Sequence, residues 1–446
     1  MKALSFEFCW WAWLFVSLVV VVSRWRMKSP SAGLVLAYLL QLWSLYGIGG
    51  WIYQHEWYSL GEQYFNDLGF EMATYGIIGF GIGSVFVGPF LIHSLQVDKP
   101  KMPSDAFTLG LPLVYVLFGL FSFFFIIPIA SKIPSGAALS SSMWRFLVAG
   151  LCLCLWKAWQ TRNSGQFFIY SLFSFIGIPL LTMIQQGFLS YGAMIALSIF
   201  SFIANFLKPR WKMIALGMVI IYAGLSFYVT YMRDRELLRE RVRAEEATSV
   251  RLEEISGMIT NFEWLDSNNE IHLYRLDERM NQCLLLGAAI DYMGNGLQPF
   301  AHGATLWDSV LSLIPRVLWP DKNIFAGSGN LVADYTGIEF SEGTSVGIGQ
   351  VLEFYVNFGS IGVFCGMLVM STLVCVVDTL AGNCLVKGDW KGFLYWYLPG
   401  FSMIDALLSM VEVTASAVSG ALVGYYFNRY LFSRQKKKLK NASSAF

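Results

Sequence analysis

The chain has 446 residues, 56% of them hydrophobic, 16% aromatic and only 14% charged. A soluble chain of this size carries roughly a quarter charged residues, so the composition excludes an ordinary soluble domain and points to a polytopic membrane protein. The net charge of +1 excludes a strong nucleic-acid footprint. The seven cysteines have neither CxxC nor metal-ligand spacing and read as small apolar residues.

Crossing a bilayer takes about 20 apolar residues. Eleven runs approach that length, at about 5–23, 31–52, 73–96, 107–130, 141–160, 166–185, 188–207, 213–232, 354–380, 392–410 and 413–432. The first has no basic n-region beyond Lys2 and no cleavage site, and Arg24 and Arg26 follow it, so it reads as a retained span. The sixth and seventh meet at Gln185-Gln186-Gly187, a tight turn. The last two meet near Val411-Glu412. The fold class is therefore all-α, a polytopic integral membrane protein of about 11 helices with one large external loop. The divisions are 1–232 for the first eight spans, 233–353 for the loop, 354–432 for the last three spans and 433–446 for a basic tail.

Short loops rich in Lys and Arg mark the cytoplasmic side. Arg24, Arg26, Lys28, Lys99, Lys101, Lys157, Arg162, Lys208, Arg210, Lys212, Lys387 and Lys391 all fall on one side of an eleven-span chain, together with the tail. The loop from Gln54 to Met72 carries Glu56, Glu62, Asp67 and Glu71 and no basic residue. The region 233–350 then lies outside. It holds 10 Lys/Arg against 18 Asp/Glu.

Within that region Arg233 to Ile259 reads as a charged helix continuing the eighth span. Arg235, Arg239 and Arg243 share one face, either as a salt-bridged surface or as a ladder for phosphate or acidic sugar. Phe262 to Asn269 is a polar connector. Its echo of a calcium loop lacks the required glycine, where Ile271 stands, and the closing glutamate, where Asp277 stands. A second helix is expected from Ile271 to about Tyr292, with Arg275 and Arg279 on one face. Its apolar part, Cys283 to Ile290, is too short to span and lies at the membrane surface or packs on the bundle. Asn295-Gly296 is a turn. Ala304 to Ile314 is a third helix, ended by Pro315.

The stretch from Ile314 to Gly359 is polar and glycine-rich between apolar runs. Pro315 and Pro320 hold Arg316 and Lys322 in an extended frame. Guanidinium gives bidentate hydrogen bonds to phosphate oxygens and Lys adds a point charge. Trp319 offers a flat face for a sugar or a lipid. Glu342 and Glu353 are candidates for acid, base or hydroxyl anchor, with His302 third. No phosphate-binding glycine loop, nucleophile elbow or HExxH motif is present, and no metal or other cofactor is expected.

The residues Pro315-Arg316-Val-Leu-Trp319-Pro320-Asp321-Lys322, then Ser345-Val-Gly347-Ile-Gly349-Gln, then Glu353-Phe-Tyr355-Val-Asn357-Phe-Gly359 resemble the O-antigen polymerase, or oligosaccharide repeat-unit polymerase (Wzy-type), family. The likeness covers roughly 275–365; elsewhere only the hydropathy matches. Arg316 and Gly327 fit an Arg-to-Gly spacing found in some members. Asn323 departs from the pattern, standing where a second proline often follows the lysine. The resemblance implies a metal-independent glycosyltransferase, similar to the GT-C-like membrane enzymes, in a bacterial inner membrane. It would polymerise undecaprenyl-diphosphate-linked oligosaccharide on the periplasmic face. Membrane lipid, and the chain-length regulator and flippase of the same pathway, are the implied partners. Arg275, Arg279, Arg316 and Lys322 are then the candidates for the diphosphate, and Trp319, Asp321 and Asn357 for the glycan. Rival readings are an O-antigen ligase-type transferase, a lipid-linked glycan transporter or flippase, and a non-catalytic assembly subunit. The spans argue against transport by being nearly free of charge, Asp405 being the main interior exception and Asp378 lying near an end.

Overall fold

The computed structural model of the protein describes residues 4–26, 30–55, 57–58, 61–94, 110–130, 136–207, 211–314, 319, 328–340 and 346–443. Their regular elements are all helices, with no strand among the described residues. In chain order the helices are α1 (Phe6–Arg26), α2 (Leu34–Ile52), α3 (Gln63–Ser94), α4 (Leu111–Ala130), α5 (Gly136–Gln160), α6 (Ser164–Gln186), α7 (Ser190–Leu207), α8 (Trp211–Arg243), α9 (Thr248–Thr260), α10 (Glu270–Met280), α11 (Cys283–Gly294), α12 (Ala304–Leu311), α13 (Ser328–Thr336), α14 (Gln350–Lys387), α15 (Trp390–Met403) and α16 (Met410–Ser443).

Eight of these, α1 to α4, α6 to α8 and α14, are long and apolar enough to cross a membrane. Their outward faces fit that role. Trp11, Phe15 and Leu18 on α1, Phe121 and Phe125 on α4, and Phe168 and Ile169 on α6 are exposed. In water so much apolar surface would be an association site; against lipid tails it is matched by its solvent. The other three expected spans correspond to α5, α15 and α16. Of these, α15 has only 14 residues, about 21 Å of helix against a hydrocarbon core of about 30 Å. The expected basic tail continues α16 as helix to Ser443.

The bundle is built on α14, which packs along α3 and α15, while α11 lies on α3, α16 on α15 and α5, and α12 on α16. Gly69 of α3 and Gly287 of α11 allow a crossing in which backbones touch. A methyl on Gly69 would run into the Cys283 carbonyl, and one on Gly287 into that of Phe65. This is why the short apolar helix packs on the bundle. At one end, Asp378 of α14 accepts hydrogen bonds from Ala32 N and Leu34 N, both at 2.9 Å, and from Ser31 Oγ at 2.5 Å. Arg24 lies 3.5 Å from the same carboxylate, so the end of α1 and the start of α2 are both locked to α14.

Several boundaries differ from the sequence expectation. The helix expected over 233–259 is two. α8 runs on for 33 residues, about 50 Å and longer than a hydrocarbon core of about 30 Å, but it stops at Arg243. Glu245 then takes φ 52° and a new helix begins at Thr248. The helix expected over 271–292 is also two. Asn281 is extended; its Oδ1 caps Cys283 N at 2.9 Å, and Gln282 N donates to Leu45 O at 2.7 Å. Tertiary partners thus replace the helix's own acceptors. The turn between the last two helices falls at 404–409, not at Val411-Glu412, and it takes Asp405 out of helical structure. Gln185-Gln186-Gly187 does make a turn, with Gly187 left-handed at φ 70°.

Candidate functional site

The helix α14 is two helices. Phe358 (φ −142°, ψ 17°) and Gly359 (φ 64°, ψ −150°) break it. The second pair of angles is one that only glycine adopts readily. The stretch 350–357 folds back on the rest. A methyl on Gly362 would meet the Phe354 carbonyl, and one on Gly366 the Phe354 ring. Tyr38 Oη donates to Gln350 Oε1 and lies 3.7 Å from Met367 Sδ. The 350–357 arm is therefore a re-entrant helix of about 12 Å, antiparallel to the long arm, and its N-terminus is buried in the bundle.

That N-terminus meets the turn between α15 and α16. Gly349 N donates to Leu407 O and Gln350 N to Ala406 O, both at 3.1 Å. Gln350 Nε2 donates to Met403 O at 3.2 Å and Asp405 O at 3.0 Å, and Ala406 N donates to Gln41 Oε1 at 3.2 Å. Irregular backbone inside a bundle is tolerated only when its polar groups are satisfied in this way. The first turn of α16 is closed by a reciprocal box. Ser409 N and Oγ both donate to Glu412 Oε2 at 2.9 Å, and Glu412 N donates to Ser409 Oγ at 3.3 Å.

Glu353 sits in this seam with no exposed surface. Its Oε2 accepts from Met410 N at 2.6 Å, at the positive end of α16, which favours a negative charge there. Its Oε1 has no partner at hydrogen-bond geometry, although the Thr305 hydroxyl also interacts with the carboxylate. Gln41 Nε2, Tyr46 Oη and Arg145 Nε are buried and unpartnered as well. Arg145 comes from α5. It donates to Ser402 Oγ, lies 6.0 Å from the Phe401 ring centre, and interacts electrostatically with Asp405.

The chain before α12 closes over the outer end of the re-entrant arm. Ala301 N donates to Val356 O at 2.8 Å and Gly303 N to Asn357 Oδ1 at 2.9 Å. Asn357 Nδ2 donates to Thr305 Oγ1 and to Glu353 O, both at 2.7 Å. Between them His302 takes φ 47°, a left-handed conformation rare for a side-chain-bearing residue, and stays exposed. Phe300, Trp307 and Phe358 are exposed around it.

Of the candidate residues named from the sequence, the structure gathers His302, Glu353 and Asn357. Arg316, Asp321, Lys322 and Glu342 lie outside the described residues, and Trp319 is exposed. Arg275 and Arg279 stand on α10 in a different cluster. Glu263 is its hub, 2.5 Å from Arg233, 2.9 Å from Arg275 and 3.3 Å from His272 Nε2. Desolvation opposes the Glu263 charge, but hydrogen bonds from Arg233 and Arg275 outweigh it and hold the carboxyl below its usual range. Arg279 pairs with Glu278 at 3.4 Å. On the arginine face of α8, Arg235 reaches Glu278 at 3.7 Å and Arg239 reaches Glu236 at 3.5 Å while its guanidinium lies 4.8 Å from the Phe188 ring centre, so the salt-bridged surface holds at these two positions. An open cleft of about 630 Å³ lies against this cluster, lined by Arg233, Asp234, Glu254, Met258 and Phe262.

Also on α10, Asp277 is buried and accepts from Tyr53 Oη at 3.1 Å, Tyr58 Oη at 3.0 Å and Asn281 Nδ2 at 2.7 Å. Burial pushes its carboxyl up, the three donors notwithstanding. Among the described residues no three His, Cys, Asp or Glu side chains form a group able to hold a metal ion.

Arg145, Gln350 and Glu412 were not among the residues expected from the sequence. A guanidinium inside the 141–160 apolar run was the available signal for the first, and the Ser409-x-x-Glu412 spacing for the last. Gln350 closes the Ser345–Gln350 motif that carries the resemblance, but its partners on α2 and the 404–409 turn are distant in sequence, so its role was not legible there.

A family model described as a domain of unknown function (DUF8712) matches residues 101–386, well over half of the chain, and the chain belongs to that family. No curated protein and no solved structure matches it.

Proposed function

We propose that this DUF8712 protein is a membrane glycosyltransferase that joins oligosaccharide repeat units carried on undecaprenyl diphosphate. The observation that carries the reading is Glu353, a buried carboxylate with one oxygen fixed by Met410 N and the other without a partner at hydrogen-bond geometry, the Thr305 hydroxyl interacting with the carboxylate. It lies on a re-entrant arm capped by the His302–Gly303 turn. Glycosyl transfer to a hydroxyl needs a base at the acceptor, and a carboxylate anchored through one oxygen offers the other. The acceptor oxygen attacks the anomeric carbon of the donor unit while its proton goes to Glu353. The bond from that carbon to the diphosphate breaks, and the diphosphate leaves with the electron pair. The negative charge on the leaving group calls for fixed cations, the role of Arg316 and Lys322. The exposed rings of Phe300, Trp307, Trp319 and Phe358 supply faces on which sugars stack.

In this reading the end bearing Arg24 and Asp378 is cytoplasmic, the region 233–349 is periplasmic, and eleven helices cross a bacterial inner membrane. An O-antigen ligase-type transferase uses the same donor chemistry with another acceptor. Transport of the lipid-linked glycan is the second reading. It draws support from Arg145, Glu353 and Asp405 gathered where helices break inside the bundle, an arrangement used by transporters.

Profiling of lipid-linked glycans in a deletion strain separates the three. A polymerase defect leaves single repeat units on the lipid at the outer face. A flippase defect traps them inside, and a ligase defect leaves full-length polymer on the lipid. Normal polymer in the deletion strain would end the polymerase reading.

A further inference from the structure

The helix α12 has its polar side inward. Thr305 and Ser309, four residues apart, are buried, and Thr305 Oγ1 accepts from Asn357 Nδ2 of the re-entrant arm at 2.7 Å. The opposite side is apolar and bare. Trp307 is 61% exposed, Val310 50% and Leu313, just past the last turn, 43%. Residues three apart share a helix face. A helix on the surface of a soluble domain has the reverse arrangement, with its apolar stripe on the core. Asp308, the one charged residue of α12, is half-buried.

This bare face joins another. On the long arm of α14, Ile361, Cys365, Val369 and Leu373 recur every four residues and are exposed, the stripe of a helix in contact with lipid tails. The exposed Phe358 links the two. Its ring lies 3.2 Å from where a methyl on Gly303 would stand, next to the first residue of α12, and the Phe300 ring lies 3.6 Å from the same point on Gly359. The level in the bilayer agrees. Gly359 and Asp378 are about 28 Å apart along the long arm, close to the hydrocarbon thickness of about 30 Å. The α12 segment, tied to Val356 and Asn357, is therefore at the boundary opposite the Arg24–Asp378 lock. At about 12 Å α12 is too short to cross.

We propose that α12 is an interfacial helix, its Trp307, Val310 and Leu313 face covered by the acyl chains of the leaflet in which α14 reverses. Such helices sink their apolar face about 5–10 Å into the boundary between headgroups and tails. An indole at that level borders both, so Trp307 also meets a sugar carried on a lipid. Asp308 keeps α12 from sinking further. On its inner side the Thr305 hydroxyl interacts with the Glu353 carboxylate, so the bilayer and Glu353 are on opposite sides of one short helix. The lipid contact follows from the polarity of α12 and does not depend on the reaction assigned to Glu353.

The test puts a nitroxide on Val310→Cys or Leu313→Cys in the full-length protein, in a Cys365→Ser, Cys384→Ser background. The protein is reconstituted one molecule per disc in phosphatidylethanolamine–phosphatidylglycerol nanodiscs. Ile361→Cys is the lipid-facing reference and Ser256→Cys, exposed on α9, the water-facing one. Oxygen concentrates in lipid and a nickel chelate stays in water. At 310 and 313 relaxation by oxygen should exceed that by nickel, as at 361, with the reverse at 256. Nickel access at 310 and 313 equal to that at 256 puts the face in water and overturns the proposal. Low access to both reagents means that protein covers the face, the rest of the chain or a second copy, and overturns it too. The two positions are independent, so either one decides if the other variant fails to fold.

Discussion

Glu353 Oε2 receives the Met410 N–H at 2.6 Å, across 57 residues of sequence. One bond joins the re-entrant arm of α14 to the first turn of α16 and fixes the carboxylate. Glu353→Gln keeps an oxygen for Met410 but removes the base. It should abolish polymer formation while leaving the thermal transition near that of wild type. Glu353→Ala also leaves Met410 N without its acceptor, at about 1–3 kcal/mol for a buried group, and should unfold earlier. Polymer made at wild-type level by Glu353→Gln would exclude it as the base.

Gly359 carries the angle that folds the arm back (φ 64°, ψ −150°). Alanine there is strained by about 1–3 kcal/mol. Gly359→Ala should lower the melting temperature and displace Glu353 from Met410, so transfer should fall with it. Unchanged melting and activity would mean that the hairpin does not depend on this glycine.

The crossing of α3 and α11 leaves no room for a side chain at Gly69 or Gly287. Either residue changed to alanine forces the helices apart, at about 1–3 kcal/mol for overpacking. Thermal unfolding in detergent should show the loss, whereas Gly294→Ala, at a position open to space, should not.

Two carboxylates outside the spans should respond to pH with opposite sign. Asp277 has its folded value raised by burial. Its contribution to stability is fully present below the unfolded value and is lost as pH rises through the folded one. The advantage of wild type over Asp277→Asn in melting temperature should therefore shrink from acid to neutral pH. Glu263 has its folded value lowered. Its contribution is present above the unfolded value and is lost as pH falls through the folded one. The advantage of wild type over Glu263→Gln should be seen at neutral pH, at about 1 kcal/mol or less because the cluster is partly exposed, and should vanish in acid. Melting curves of the three proteins across pH check both signs.

Composition and local pattern are properties of the amino-acid sequence alone, and they were enough for the class of this protein. A long apolar run has few alternatives to a lipid-facing helix, so the helical membrane class and most helix positions could be read directly. The polar turn at Asn295-Gly296 and the helix after Gly303 are set by neighbours and were also legible. Glu353 stood out as a carboxylate bordering an apolar span, His302 as a third candidate base, and Asn357 through the family resemblance. Only the tertiary structure decided that they converge, that Glu353 is anchored by Met410, and that Glu412 belongs beside it. Helix periodicity carries no information about a backbone that reverses at Gly359, because the arm on either side has the same apolar pattern. The breaks at Asn281 and 404–409 depend on partners supplied by α2, α3 and α14. Hydrogen bonds across tens or hundreds of residues fix these features, and no local stretch of the sequence encodes them.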